Sequence, residues 1–166
     1  MLAGGRAARM GGAKATALLA GRPLLDHALD ALRPLVDELA IVAKPSTALP
    51  DAGVPVWHDE DDGFHPRHGL VAALRRADGP VLVLAVDLPD AAPALQALVR
   101  VGPTSVTRAD GRLQPLCALY DPTALRALAA AAPDEPLTRT IERLQPTVLD
   151  VPAAWLRNVN RPEDLA

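Results

Sequence analysis

Leu25, Ala28, Leu29 and Leu32 recur at helical spacing while Asp26, Asp30 and Arg33 take the positions between, which predicts an amphipathic helix from Pro23 to about Pro34. Two short apolar runs, 39–43 and 54–59, flank the turn residues Asp51-Ala52-Gly53 and read as strands. Leu70, Val71 and Leu74 mark a second helix that ends at Arg75-Arg76. Residues 81–86 are consecutively apolar and bounded by turn signals, the pattern of a central strand buried on both faces, with Asp87 at its carboxyl end. A helix is predicted over 93–100. Strands over 104–108 and 113–120 flank the hairpin signal Ala109-Asp110-Gly111. Helices at 123–132 and 137–144, a last strand at 147–151 and a tail that ends as a helix begins complete the pattern.

Alternating strands and helices predict a three-layer α/β fold around a mostly parallel central sheet, with a local hairpin insertion. The length of 166 residues suits one domain over 1–166, large enough for a core without disulfides or metal staples. Aromatic residues make up only 2 % of the chain, so that core must be built from Ala, Leu and Val. A net charge of −3 offers no basic surplus for general nucleic-acid binding. Cys117 is the single cysteine and reads as a small core residue. No apolar run is long enough to span a membrane and no signal-peptide stretch opens the chain, so a cytoplasmic protein is expected.

The chemistry concentrates in the opening stretch, Met1-Leu2-Ala3-Gly4-Gly5-Arg6-Ala7-Ala8-Arg9-Met10-Gly11-Gly12-Ala13-Lys14. Two glycine pairs with Arg6, Arg9 and Lys14 describe a loop whose amides and cations converge on a phosphate. An unstructured Gly/Ala/Arg-rich start is the competing reading. The stretch matches neither the mononucleotide P-loop, because Gly12 is followed by Ala13, nor the dinucleotide fingerprint, because its glycines are adjacent. Such a loop normally hangs from the carboxyl end of a strand, and Met1-Leu2-Ala3 offers only the end of one. Ligands of open α/β sheets lie beyond those carboxyl ends, where Asp59 and Asp87 are also expected. A cationic loop facing carboxylates there makes sense with a divalent metal between them, since Mg²⁺ takes one or two carboxylates together with substrate phosphates. Three alternatives stay open: Asp87 as a turn or cap residue, Asp59 as part of a solvated acidic loop, and a zinc chelate from His58, His65 and His68.

These motifs resemble one family, the molybdenum cofactor guanylyltransferases and the wider MobA-like nucleotidyltransferases. The resemblance rests on Leu2 to Gly5, Arg9 to Gly12 and Lys14, on Gly21-Arg22-Pro23-Leu24 with His27, on Asp87 to Pro89, and on Asn158 to Leu165. It implies a single Rossmann-like nucleotidyltransferase domain in which Leu2, Ala3, Gly4, Gly5, Lys14, Asp59 and Asp87 contact GTP. It further implies Mg²⁺ on Asp87 and Asn160, catalytic roles for Lys14, Arg9 and Asp87, and Asn158 and Asn160 on the acceptor side. The implied reaction is transfer of GMP from GTP to the terminal phosphate of molybdopterin or Mo-molybdopterin. Transient contact with molybdoenzyme apoproteins or chaperones would follow, with no nucleic-acid or membrane partner. A relative using CTP or another phosphorylated acceptor, and a nucleotide binder without turnover, are the alternatives. The chain departs from the family pattern at Ala13, at Lys44-Pro45 and at His65-Pro66-Arg67-His68-Gly69, where Gly-Pro-Leu-x-Gly is usual.

Overall fold

The computed structural model describes residues 1–3, 14–59 and 65–165. After a 3-10 turn at Lys14–Thr16 come a two-stranded hairpin, β1 (Leu18–Leu19) with β2 (Arg22–Pro23), and helix α1 (Leu24–Leu32). Then follow β3 (Ile41–Ala43), β4 (Val56–His58), α2 (Pro66–Arg76), β5 (Val81–Leu84) and α3 (Ala92–Val101). The second half runs β6 (Ser105–Ala109), β7 (Arg112–Tyr120), α4 (Ala124–Ala130), α5 (Leu137–Arg143) and β8 (Thr147–Asp150). The tail forms 3-10 turns at Ala153–Leu156 and Pro162–Leu165 where the sequence predicted the start of a helix.

Residues 1–3 join the sheet's two parts. Leu2 bridges Val42 on one side and Ala85 on the other, both in parallel register. Its amide donates to the Leu84 carbonyl at 2.8 Å, and the Val86 amide donates to the Leu2 carbonyl at 3.1 Å. On the other side the Ala3 amide donates to Val42 and the Val42 amide donates to Met1. This short stretch therefore does the work of a central strand, as the glycine-rich loop after it required. The resulting order is β4, β3, residues 1–3, β5, β7, β6, β8. Pairing is parallel throughout except on the two sides of β7. The Ala109-Asp110-Gly111 hairpin is present, but it is no insertion: β7 returns between β5 and β6 as an integral strand.

The period-two pleat sorts side chains into two cores, which makes the layers explicit. Leu82, Leu84, Ile41, Cys117 and Leu119 face Leu25, Leu29 and Leu32 of α1 and Leu95 and Leu98 of α3. Val83, Val42, Ala118, Tyr120 and Val106 face Leu70 and Leu74 of α2, Leu128 of α4 and Ile141 of α5. The predicted apolar face of α1 is the buried one, with Leu25, Ala28 and Leu32 fully enclosed. Gly69 lets α2 lie close over the centre of the sheet, because a Cβ there would stand 3.1 Å from Leu2 Cδ2. Cys117 is buried, and burial pushes its thiol up to about 12, so it serves as a core residue.

Candidate active site at the carboxyl edge of the sheet

β5 carries the chain through the middle of the sheet and delivers Asp87 just past its carboxyl end. The Asp87 carboxylate accepts from Lys14 Nζ at 2.7 Å, and each side chain is only 19 % exposed. Lys14 also donates to Asn160 Oδ1 at 2.5 Å. Three side chains read separately from the sequence thus meet at one point. Asp87 does not cap α3, which starts only at Ala92; it lies in the turn after β5 with its carboxylate on Lys14.

The tail is held in place by a set of polar contacts. The Val159 amide donates to the Asp87 carbonyl, and Val159 itself is fully buried. One oxygen of Asp164 accepts from the amides of Asn160 and Arg161 at 2.8 and 2.9 Å. Those amide donors hold the Asp164 carboxyl below the usual carboxylate range. Arg157 spans from Asp90 in the turn after Asp87 to the Asp164 carbonyl. Asn158, two residues before Asn160, is exposed.

At the ends of β3 and β4, Lys44 and Asp59 form an ion pair of 2.9 Å with side chains 11 % and 9 % exposed. Asp59 is therefore a buried, paired carboxylate and not part of a solvated loop. Its amide donates to the Ala43 carbonyl, continuing the parallel ladder past β4. The pairing with Lys44 is invisible in the sequence because it joins two strands that are adjacent only after folding. Lys44 follows β3 and Asp87 follows β5, two strand positions apart, or about 10 Å in the sheet. The expected nucleotide and metal residues thus share one edge.

Leu2 and Ala3 lie at that edge as the central stretch. Gly4, Gly5 and Arg9 fall outside the described residues, as do Ala13 and the whole acidic run after Asp59. Among the described residues no three His, Cys, Asp or Glu side chains gather at one point, so the chelate of His58, His65 and His68 has no ligand set there. His65 has a structural role instead: its Nδ1 accepts from the Arg67 amide at 3.2 Å and caps α2. His27 Nε2 donates to the Leu19 carbonyl at 3.0 Å and fastens the β1–β2 hairpin to α1.

Asp87 and Asn160 present hard oxygens that already converge on one cation, the Lys14 ammonium. Their donor type suits a divalent metal of the magnesium class, and a lysine beside them suits phosphate.

The chain is similar over its whole length to several known proteins. It is 39 % identical to the molybdenum cofactor guanylyltransferase of Cereibacter sphaeroides, covering 100 % of this chain and 92 % of the relative. It is 34 % identical to a probable molybdenum cofactor guanylyltransferase of Rhodopirellula baltica, over 99 % of this chain and 88 % of the relative. The crystal structure of molybdopterin-guanine dinucleotide biosynthesis protein A from Archaeoglobus fulgidus superposes with a TM-score of 0.74 at 25 % identity, covering 99 % of this chain and 92 % of the other. The pattern of the MobA-like NTP transferase domain matches residues 1–148, and the chain belongs to that family.

Proposed function

We propose that this chain transfers GMP from GTP to the terminal phosphate of molybdopterin, with or without molybdenum, and releases pyrophosphate. A phosphate oxygen of the acceptor forms the new bond to the α-phosphorus of GTP as the bond to the β-phosphate oxygen breaks. That nucleophile is already ionised near neutral pH, because the second ionisation of a phosphate monoester lies at about 6, so no general base is required. Positioning and charge neutralisation carry the reaction. The observation that carries the reading is the meeting of Lys14, Asp87 and Asn160 at the end of the central strand. The similarity to relatives named as guanylyltransferases supports it over the full chain.

Asp87 and Asn160 would hold Mg²⁺, which when bound draws negative charge from the α-phosphate and the departing pyrophosphate. Lys14 donates to triphosphate oxygens, with Arg9 and the amides of Gly4 and Gly5 completing the cradle. Leu2 and Ala3 seat the nucleotide at the strand end, and Asp59 binds it from the β4 side, held in place by Lys44. Asn158 and Asn160 face the acceptor. The domain spans 1–166 and acts in the cytoplasm, where molybdoenzyme apoproteins or their chaperones take the product.

The test is pyrophosphate release by the purified protein with molybdopterin, Mg²⁺ and each of the four nucleoside triphosphates. Release with GTP in preference to CTP is expected, and a preference for CTP would overturn the guanylyl assignment. Nucleotide binding without release would overturn the transfer itself. Asp87→Ala should lower turnover by at least about 100-fold with an unchanged circular dichroism spectrum. Retained activity would remove Asp87 from the metal role.

A further inference from the structure

A cavity of about 500 Å³ opens between α2, α4 and the end of β4, on the side of the sheet away from α1 and α3. Neither Lys14 nor Asp87 lines it. Its α2 wall is one helical stripe: Arg67 and His68 at one end, Val71 and Ala72 in the middle, Arg75 and Arg76 at the other. Arg67 and Arg75 are eight residues apart, which on an α-helix is about 12 Å. Leu128 of α4 adds to the apolar middle.

The charge on this wall is one-sided. Among the described residues three guanidinium groups face one lining carboxylate, Asp59, and Lys44 pairs with that carboxylate. The whole chain carries −3, so the concentration of cations is local and not a reflection of composition. Arg67 is the decisive residue. It is 5 % exposed, and its guanidinium donates to the Ala132 carbonyl at 2.6 Å, a neutral partner. Among the described residues no carboxylate forms an ion pair with it. A guanidinium has five N–H donors and keeps its charge when buried, and among the described residues this side chain meets one carbonyl acceptor. Arg76, at the far end, is steered toward the cavity mouth by donating to the His58 carbonyl at 3.2 Å.

We propose that this groove is a second anion site, separate from the Lys14–Asp87–Asn160 centre, and that it takes a small phosphate-bearing molecule. Planar guanidinium groups match phosphate geometry with paired donors, and the apolar stretch between the two cationic ends fits a compact organic body. The volume lies in the range of small-molecule sites. The shared chemistry is a phosphate or pyrophosphate group, either free or carried on an organic body. The groove shares Asp59 with the proposed nucleotide site but has none of Lys14, Asp87 and Asn160 in its lining, and its test turns on Arg67 and Arg75.

Calorimetric titration of the full chain with inorganic phosphate, pyrophosphate and guanosine monophosphate tests it, first on a Lys14→Ala background that disables the proposed triphosphate cradle. Binding of pyrophosphate that survives Lys14→Ala is expected. It should then weaken by about tenfold on adding Arg75→Glu, an exposed substitution that leaves the fold alone, and on adding Arg67→Gln. Tighter binding of the monophosphate than of pyrophosphate assigns the site to an organic phosphate, and the reverse to the free anion; either supports the proposal. Loss of all binding with Lys14→Ala, indifference to Arg75→Glu, or no binding up to about millimolar concentration would overturn it.

Discussion

Asp164 acts on the proposed active site through the backbone, by accepting from the amides of Asn160 and Arg161. Asp164→Ala should therefore lower kcat by about tenfold while leaving the KM for GTP near its original value, since it disturbs placement and not nucleotide contact. Equal loss in both constants, measured by pyrophosphate release, would point to general loosening of the tail. His65 allows a sharper test. Burial, then the charges of Arg67 and His68, lower its imidazole below the ordinary value of 6.5, against a hydrogen bond to the Glu135 backbone. Protonation also turns its Nδ1 from acceptor to donor and breaks the cap on α2. The unfolded chain then binds the proton more readily than the folded one, so stability is full above pH 6.5 and declines as pH falls through the lowered folded value. His65→Asn keeps an acceptor at the cap without titrating. Melting temperatures recorded between about pH 5 and 7 should fall with acid in the parent and stay flatter in the variant. A parallel decline in both would remove His65 from the effect.

Two tight turns show how much of the elements can be read from the chain and where that stops. At the β6–β7 turn Asp110 and Gly111 adopt φ of 47° and 72°, the left-handed pair of a type I′ hairpin, and Asp-Gly announces that turn in the sequence. At the β1–β2 turn Ala20 and Gly21 adopt φ of 50° and 78°, the same geometry, but alanine carries no signal for it and that hairpin goes unpredicted. A Cβ added at Gly21 or Gly111 would meet nothing within 4 Å, so substitutions there act on backbone conformation alone. Gly111→Ala should cost roughly 1 kcal/mol and Ala20→Gly should gain roughly 0.5–1 kcal/mol in urea unfolding. The same sign for both would contradict the assignment. The apolar strand β5, within the run 81–86, and the helix faces of α1 and α2 were legible because local periodicity encodes them. The place of β7 between β5 and β6 was not, since register across the sheet is set by partners distant in sequence. For the same reason Asp87 could be placed from its strand, whereas the Lys44–Asp59 pair and the burial of Arg67 emerge only with the packed fold.

At the scale of the whole molecule, the site depends on contacts that bridge almost the full chain. Lys14 and Asn160 are 146 residues apart, and Lys14 and Asp87 are 73 apart. Such contacts carry a high loop-closure entropy and form slowly compared with local helices and hairpins. After dilution from denaturant, the far-ultraviolet dichroism should recover before nucleotide binding does, and stopped-flow measurement of both signals tests the order. Coincident recovery would show that tail and sheet lock together. The tail that supplies Asn160 also leaves the ribosome late, after every strand of the sheet has been made. A nascent chain therefore completes its fold's scaffold before it has the asparagine that Lys14 contacts. On the proposed assignment, a growing chain meets nucleotide before it can hand it on.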